Sequence, residues 1–274
     1  MFHIRQPAVA GAFYPAQKQL LAEDIDALLQ ASQLNQRSSI KDAGTAPKAI
    51  IVPHAGYIYS GEVAAAAYAR LITAHDTIKR VILLGPVHRV PVRGLALPGF
   101  EVFATPLGEV QIDYTAVTAI EHLPQVVISP EAHLPEHSLE VQLPFLQAVL
   151  DDFKIVPLAV GDATPAEVAE VLETLWGGEE TLIVVSSDLS HFFPYQTAQV
   201  MDSQTVTDIL NLQHKLSHEQ ACGGTPVNGL LLAAKHHHLQ PQLLDLRNSG
   251  DTAGDKDRVV GYASFAFVEE TKSG

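Results

Sequence analysis

Cysteine is almost missing from this sequence: Cys222 is the only one in 274 residues. A single thiol excludes an intramolecular disulfide framework and suits a reducing cytoplasm. Basic residues are also scarce, with 17 Lys and Arg against 31 Asp and Glu, a formal charge of −14. Nucleic-acid backbones and anionic membranes would repel such a chain, so neither is expected as the main partner. No apolar stretch approaches the roughly 20 residues that span a bilayer. The amino-terminal "MFHIRQPAVAGAFYPAQ" has no basic segment leading into a long apolar run, so no signal peptide is expected. The expectation is a cytoplasmic protein with no nucleic acid and no membrane as partner.

What the sequence does have is apolar content, 47% of its residues, enough for a sizeable core. Short Val/Ile/Leu runs alternate with helical patterns. "KAIIVPH", "RVILLGPVH", "FKIVPLAVG" and "TLIVVSSDLSHF" predict four buried strands. "LLAEDIDALL" puts Leu21, Ile25, Leu28 and Leu29 on one helical stripe, and "GEVAAAAYARL" predicts a helix packed on a sheet. "DATPAEVAEVLETLW" carries Thr164 as N-cap, Pro165 at the first helical position and Glu167 to complete a capping box. Thr225 and Pro226 suggest the same device in "TPVNGLLLAAK". Pro144 either kinks a helix or starts a second one. "YASFAF" alternates like a half-exposed strand at an edge. "ASQLNQRSSIKDAGTAPK" resembles a flexible loop, and "KHHHLQPQ" a short polar one. The pattern predicts one α/β domain over 1–274, a mainly parallel or mixed sheet covered by helices on both faces.

The polar residues that follow these strands carry the functional signal. "AIIVP" ends in His54, "VILLGPV" in His88, and "LIVVSS" in Asp188 with His191 three residues on. In open α/β sheets, ligands bind beyond the carboxyl ends of the strands. Imidazoles and a carboxylate are therefore delivered to one edge. Tyr57 and Tyr59 either line the pocket or belong to the core. Arg89 either orients an anion or pairs at the surface. His137 and Glu140 share a helical face at i and i+3, as an acid/base pair or as a helix amino-terminus. Asn248, Ser249 and Asp251 in "LRNSGD" either cap the pocket or merely make a turn. His75, His122, His133, His214 and His218 are expected to be exposed, and the tract His236, His237 and His238 is expected to be no designed metal site. Cys222 lies just ahead of a helix start, which should lower its pKa. A thiolate with two imidazoles forms a three-ligand site with an open position, acceptable to zinc, copper or iron.

Seven stretches, "RQPAVAGAFYP", "PHAGYIYSG", "GPVHR", "EHSLEVQLPFLQ", "SSDLSH", "CGGTPV" and "LRNSGD", run in order from about residue 5 to 251. Together they resemble the Memo family, whose prokaryotic members are labelled AmmeMemoRadiSam system protein B. The resemblance implies a single α/β domain similar to the class III extradiol dioxygenases. It implies His54, His88 and Cys222 as ligands of one metal ion, with Asp188 and His191 lining the pocket. Iron(II) or copper is favoured and zinc is an alternative. The dioxygenases use two histidines and a glutamate, so the cysteine departs from that wider group. The resemblance also implies radical-SAM system proteins as partners. Animal members are associated with iron- or copper-linked redox and with phosphotyrosine peptides, so a small-molecule or peptide ligand is expected. The functions that follow are a redox metalloprotein with dioxygenase-like chemistry, a metal carrier, or a peptide-binding module. In the first, His191 helped by Asp188 would act as acid/base.

Overall fold

The structure is a computed structural model that describes residues 3–37 and 46–269. Among the described residues, twelve strands form one mixed sheet. They are β1 (Ile4–Arg5), β2 (Ala49–Val52), β3 (Arg80–Pro86), β4 (Leu95–Leu97), β5 (Val102–Thr105) and β6 (Gly108–Ile112), followed by β7 (Val126–Ile128), β8 (Lys154–Val160), β9 (Thr181–Ser186), β10 (His191–Phe193), β11 (Leu239–Asn248) and β12 (Val259–Glu269). The helices are α1 (Lys18–Arg37), α2 (Tyr57–Tyr68), α3 (Tyr114–Ile120), α4 (Pro130–His133), α5 (Leu143–Val149), α6 (Pro165–Leu175), α7 (Tyr195–Leu210) and α8 (Gly224–His236).

The four runs of β-branched and leucine residues pair in parallel as β8-β3-β9-β2 at the centre of the sheet. Their side chains are buried on both faces, which is why these strands show no apolar/polar alternation. One apolar layer joins the sheet to α1, α2 and α5 through residues such as Leu21, Ile25, Tyr68 and Phe145. The opposite layer joins it to α6 and α8 through Val168, Leu172, Leu230 and Leu231. Antiparallel strands complete the flank beyond β2, where β12 pairs with β2, β10 and β11.

Several local expectations need correction. "YASFAF" lies in β12, which is interior and almost wholly buried, because it has partners on both sides. Helix α1 runs through Arg37, so the first part of the expected loop is helical, while residues 38–45 lie outside the described residues. Pro144 lies in the first turn of α5, which begins at Leu143 after a short 3-10 turn over Glu140–Gln142, so it opens a second helix. The "KHHHLQPQ" stretch has almost no loop: α8 ends at His236 and β11 begins at Leu239. The capping box at Thr164 and Glu167 is present. Thr225 is no such cap, since α8 already starts at Gly224 with Gly223 ahead of it. Among the described residues, no helix is long and apolar enough to cross a membrane.

Candidate metal centre

Strands β3, β9 and β2 are sheet neighbours and parallel, so their carboxyl ends open onto one edge. His88 follows β3, Asp188 follows β9 and His54 follows β2. Two strand spacings separate the backbones of His54 and His88, yet their rings meet edge to face with centroids 5.1 Å apart. Cys222 reaches the same point from the turn before α8, its Sγ 3.2 Å from His54 Nε2. One ligand atom from each of His54, His88 and Cys222 lies within 4.8 Å of the others.

Two glycines make this convergence sterically feasible. A Cβ at Gly223 would stand 2.7 Å from Ser187 Cβ and 2.8 Å from the Ser186 carbonyl oxygen, closer than real side chains approach. The Cys222 turn therefore sits directly on the end of β9. A Cβ at Gly85 would fall 2.9 Å from Ser138 Oγ, so the segment carrying Glu136 and His137 can lie against β3.

Both imidazoles are oriented by what binds their Nδ1 atoms. Ser186 Oγ donates to the Ser138 carbonyl at 2.6 Å, which uses its only proton. It must then accept from His54 Nδ1, 2.9 Å away, and from Gln142 Nε2 at 2.9 Å. His54 is therefore protonated on Nδ1, leaving Nε2 bare toward Cys222. Burial holds its pKa well below the usual histidine value, and the neighbouring His88 and His137 add to the shift, so the ring is neutral at pH 7. His88 Nδ1 lies 2.9 Å from a Glu136 carboxylate oxygen, an obligate acceptor, so Nδ1 carries the proton of that bond and Nε2 is the nitrogen left for a ligand role. A buried carboxylate on the far nitrogen of an imidazole is the arrangement that orients histidine metal ligands and raises their basicity.

Glu136 is itself tightly held. Its carboxylate also accepts from the backbone N–H groups of His88 (2.6 Å), His137 (2.9 Å) and Ser138 (2.9 Å). Burial alone would raise its pKa, but the His88 ring N–H and charge and these backbone donors outweigh it and hold the carboxyl at about 2. Sequence inspection did not single out Glu136, and its only signal is its place next to His137. Ser186 and Gln142 were missed for the same reason, since neither residue type in a strand or turn advertises an acceptor for an imidazole.

The Cys222 thiol contradicts the expectation of a lowered pKa. It is pushed up to about 12, first by burial and then by the nearby Asp188 carboxylate, against weaker opposing hydrogen bonds. The amino-terminus of α8 is close, and Gly223 N–H does pull the thiol pKa down, but less than burial and Asp188 push it up. The thiol is therefore neutral until a cation displaces its proton. Asp188 accepts from His54 N–H at 2.7 Å, and its second oxygen lies 3.9 Å from His54 Nε2. Desolvation raises its pKa despite that backbone donor.

His191 follows on β10, where pairing with β12 slips by one residue between His191 and Phe193. Phe192 at this bulge adopts φ 64°, a left-handed conformation that costs a phenylalanine on the order of 1–3 kcal/mol. His191 Nδ1 donates to the Leu189 carbonyl at 2.8 Å, so its Nε2 stays available. The ring lies close enough to act electrostatically on both His54 and Asp188. His137 stacks on His88 with centroids 4.8 Å apart and stands edge-on to His54 at 5.4 Å. Its Nδ1 lies 3.3 Å from Glu136.

Three residues expected in the pocket are elsewhere. Tyr57 is core: its hydroxyl donates to the Val141 carbonyl at 2.7 Å and its ring packs on Phe145 and Tyr14. Glu140 makes no pair with His137. It is fully buried and accepts from Arg5, the backbone N–H groups of Ala8 and Val9, and Tyr14. Asp251 is exposed, bonded to Tyr195 and to Asn248 N–H, and lines a separate cleft between α7 and β11. His133 was expected at the surface and is buried, with Nε2 2.7 Å from the Ala96 carbonyl. Tyr59 and Arg89 are exposed.

The chain matches the family model described as "Memo-like protein" over residues 5–266. Among curated proteins it is similar to a "MEMO1 family protein" of Metallosphaera sedula, 36% identical over 97% of this chain and 99% of that one. A "MEMO1 family protein" of Aquifex aeolicus is 37% identical, again over 97% of this chain and 99% of that one. Among solved structures, the "uncharacterized protein JW3007" of Escherichia coli K12 aligns with a TM-score of 0.48 at 14% identity, covering 79% of this chain and 98% of that one.

Proposed function

This chain belongs to the Memo-like family, and from that premise we propose that it binds one metal ion, iron or copper, through His54, His88 and Cys222. The proposed activity is redox or dioxygenase-like chemistry on a small molecule. One observation carries the reading: two imidazoles with their Nδ1 atoms already committed leave their Nε2 atoms free to serve as ligands, and each ring offers a ligand atom within 4.8 Å of a single half-buried thiol. A soft sulfur with two imidazoles suits copper, iron or zinc better than a hard oxygen-seeking cation. When bound, iron or copper would supply one-electron chemistry at the coordination positions that three protein ligands leave open.

The rest falls to the chain's own residues. Glu136 and Ser186 keep the two rings aimed, so ligand binding costs little reorganisation. His54 is only 2% exposed, whereas the His88 side chain is 28% exposed, so a substrate reaches the site from the His88 side. His191 Nε2, the ring nitrogen not bonded to the Leu189 carbonyl, is placed to exchange a proton with a substrate. Asp188 holds the His54 loop by its backbone and adds a carboxylate beside the acid/base.

The test is anaerobic purification, loading with Fe(II) or Cu(I), and metal analysis alongside oxygen uptake with catechol-like substrates. The expected result is about one equivalent of metal per chain that disappears in His54→Ala, His88→Ala and Cys222→Ser, with uptake of oxygen that His191→Ala slows. Metal content unchanged in all three ligand variants would refute the site. Loading without any oxygen uptake would refute the redox activity and leave a carrier.

A further inference from the structure

A second cluster of ligand-type side chains stands at the far end of α8. Glu173, in the last turn of α6, places Oε1 2.8 Å from His236 Nδ1 and Oε2 2.8 Å from His237 Nε2. Successive residues on a helix point about 100° apart, so adjacent imidazoles share one carboxylate only if it lies between them. The helix ends at this point to allow it: His237 is the C-cap, and His238 adopts φ 56° to turn the chain into β11. His237 is further fixed by Trp176, whose ring stacks on it with centroids 3.7 Å apart and planes 8° from parallel. One ligand atom from each of Glu173, His236 and His237 lies within 4.8 Å of the others.

We propose that Glu173, His236 and His237 form a second, surface-facing divalent-metal site that ties the carboxyl ends of α6 and α8 together. The set of two imidazoles and one carboxylate, with positions left open, is one that zinc accepts, and it contains no sulfur. A tetrahedral ion with bonds of about 2.0–2.1 Å holds its ligand atoms roughly 3.3 Å apart. Side-chain tips at the surface can close to that spacing without moving a helix. Each ring shifts its proton to its outward nitrogen, so the inward lone pairs face the ion. α8 has 13 residues, so its two ends are about 20 Å apart. Cys222 lies just before one end and this cluster at the other, and the two sites respond separately.

Trp176 is the only tryptophan in the chain and touches one of the proposed ligands, which makes it a local reporter. The experiment is a Ni2+ titration of the full, untagged chain followed by tryptophan fluorescence. Saturable quenching is expected, reversed by a chelator, competed by Zn2+, and retained in Cys222→Ser. Glu173→Gln and His236→Gln leave the Trp176 stack intact and are expected to raise the midpoint on the order of tenfold or more. Absence of saturable quenching, an unchanged midpoint in both variants, or loss of quenching in Cys222→Ser would overturn the assignment.

Discussion

Glu136 and Glu140 lie four residues apart, both buried carboxylates in the "PEHSLEVQ" stretch, yet they hold different parts of the molecule. Glu136 gathers three backbone N–H groups and the ring N–H of His88, so it organises the candidate metal centre. Glu140 gathers Arg5, Tyr14 and two amides of the amino-terminal segment, so it fastens that segment to the core. Arg5 links the two regions, since it also donates to the Glu136 and His133 carbonyls. The contrast shows that a buried carboxylate takes its role from its donors. A helical spacing such as that of His137 and Glu140 does not reveal those donors.

The comparison predicts separable losses. Glu140→Gln leaves the Arg5 guanidinium buried without its counter-charge and is expected to cost about 3–5 kcal/mol of stability. Denaturant unfolding would measure this, and metal affinity of the folded fraction should be unchanged. If affinity falls as far as it does for a Glu136 variant, the two carboxylates are not separate devices.

His133 sharpens the stability side. Burial lowers its pKa to about 4 from 6.5, only partly offset by the Ala96 carbonyl. The unfolded chain therefore binds a proton between those values that the folded chain refuses. The stabilisation this residue brings is complete above pH 6.5 and is lost as pH falls toward 4, amounting to about 3 kcal/mol. Subtracting the unfolding profile of His133→Gln from that of the wild type should isolate this slope. A difference flat between pH 6.5 and 4 would contradict it.

On the metal side, Glu136→Gln replaces an acceptor-only group by one with a single acceptor oxygen, freeing the His88 ring and its loop. Metal affinity is expected to fall by about 10–100-fold, read by competition with a chelator of known strength. Ser186→Ala removes the acceptor of His54 Nδ1–H and should fall at the low end, about tenfold. An effect of Ser186→Ala larger than that of Glu136→Gln would invert the ranking of the two supports.

Much of the frame was legible because it follows from local chemistry. The Val/Ile/Leu runs read as parallel interior strands, and the Thr164–Glu167 box marked its helix start. His54, His88 and Asp188 stood out because each closes an apolar run, and the sheet brings those run ends side by side. What was illegible depends on distant partners. "YASFAF" looked amphipathic, but pairing on both sides buried it. His133 looked exposed until the Ala96 carbonyl and the sheet edge closed over it. The sign of the Cys222 shift was missed because helix position is local, whereas burial and the Asp188 charge come from the folded chain.

The most direct test of the central claim is X-ray absorption at the metal edge of anaerobically loaded protein. One sulfur and two imidazole scatterers on a single ion are expected, and the whole signal is expected to be lost with the metal in Cys222→Ser. A wild-type spectrum with no sulfur neighbour would contradict the account.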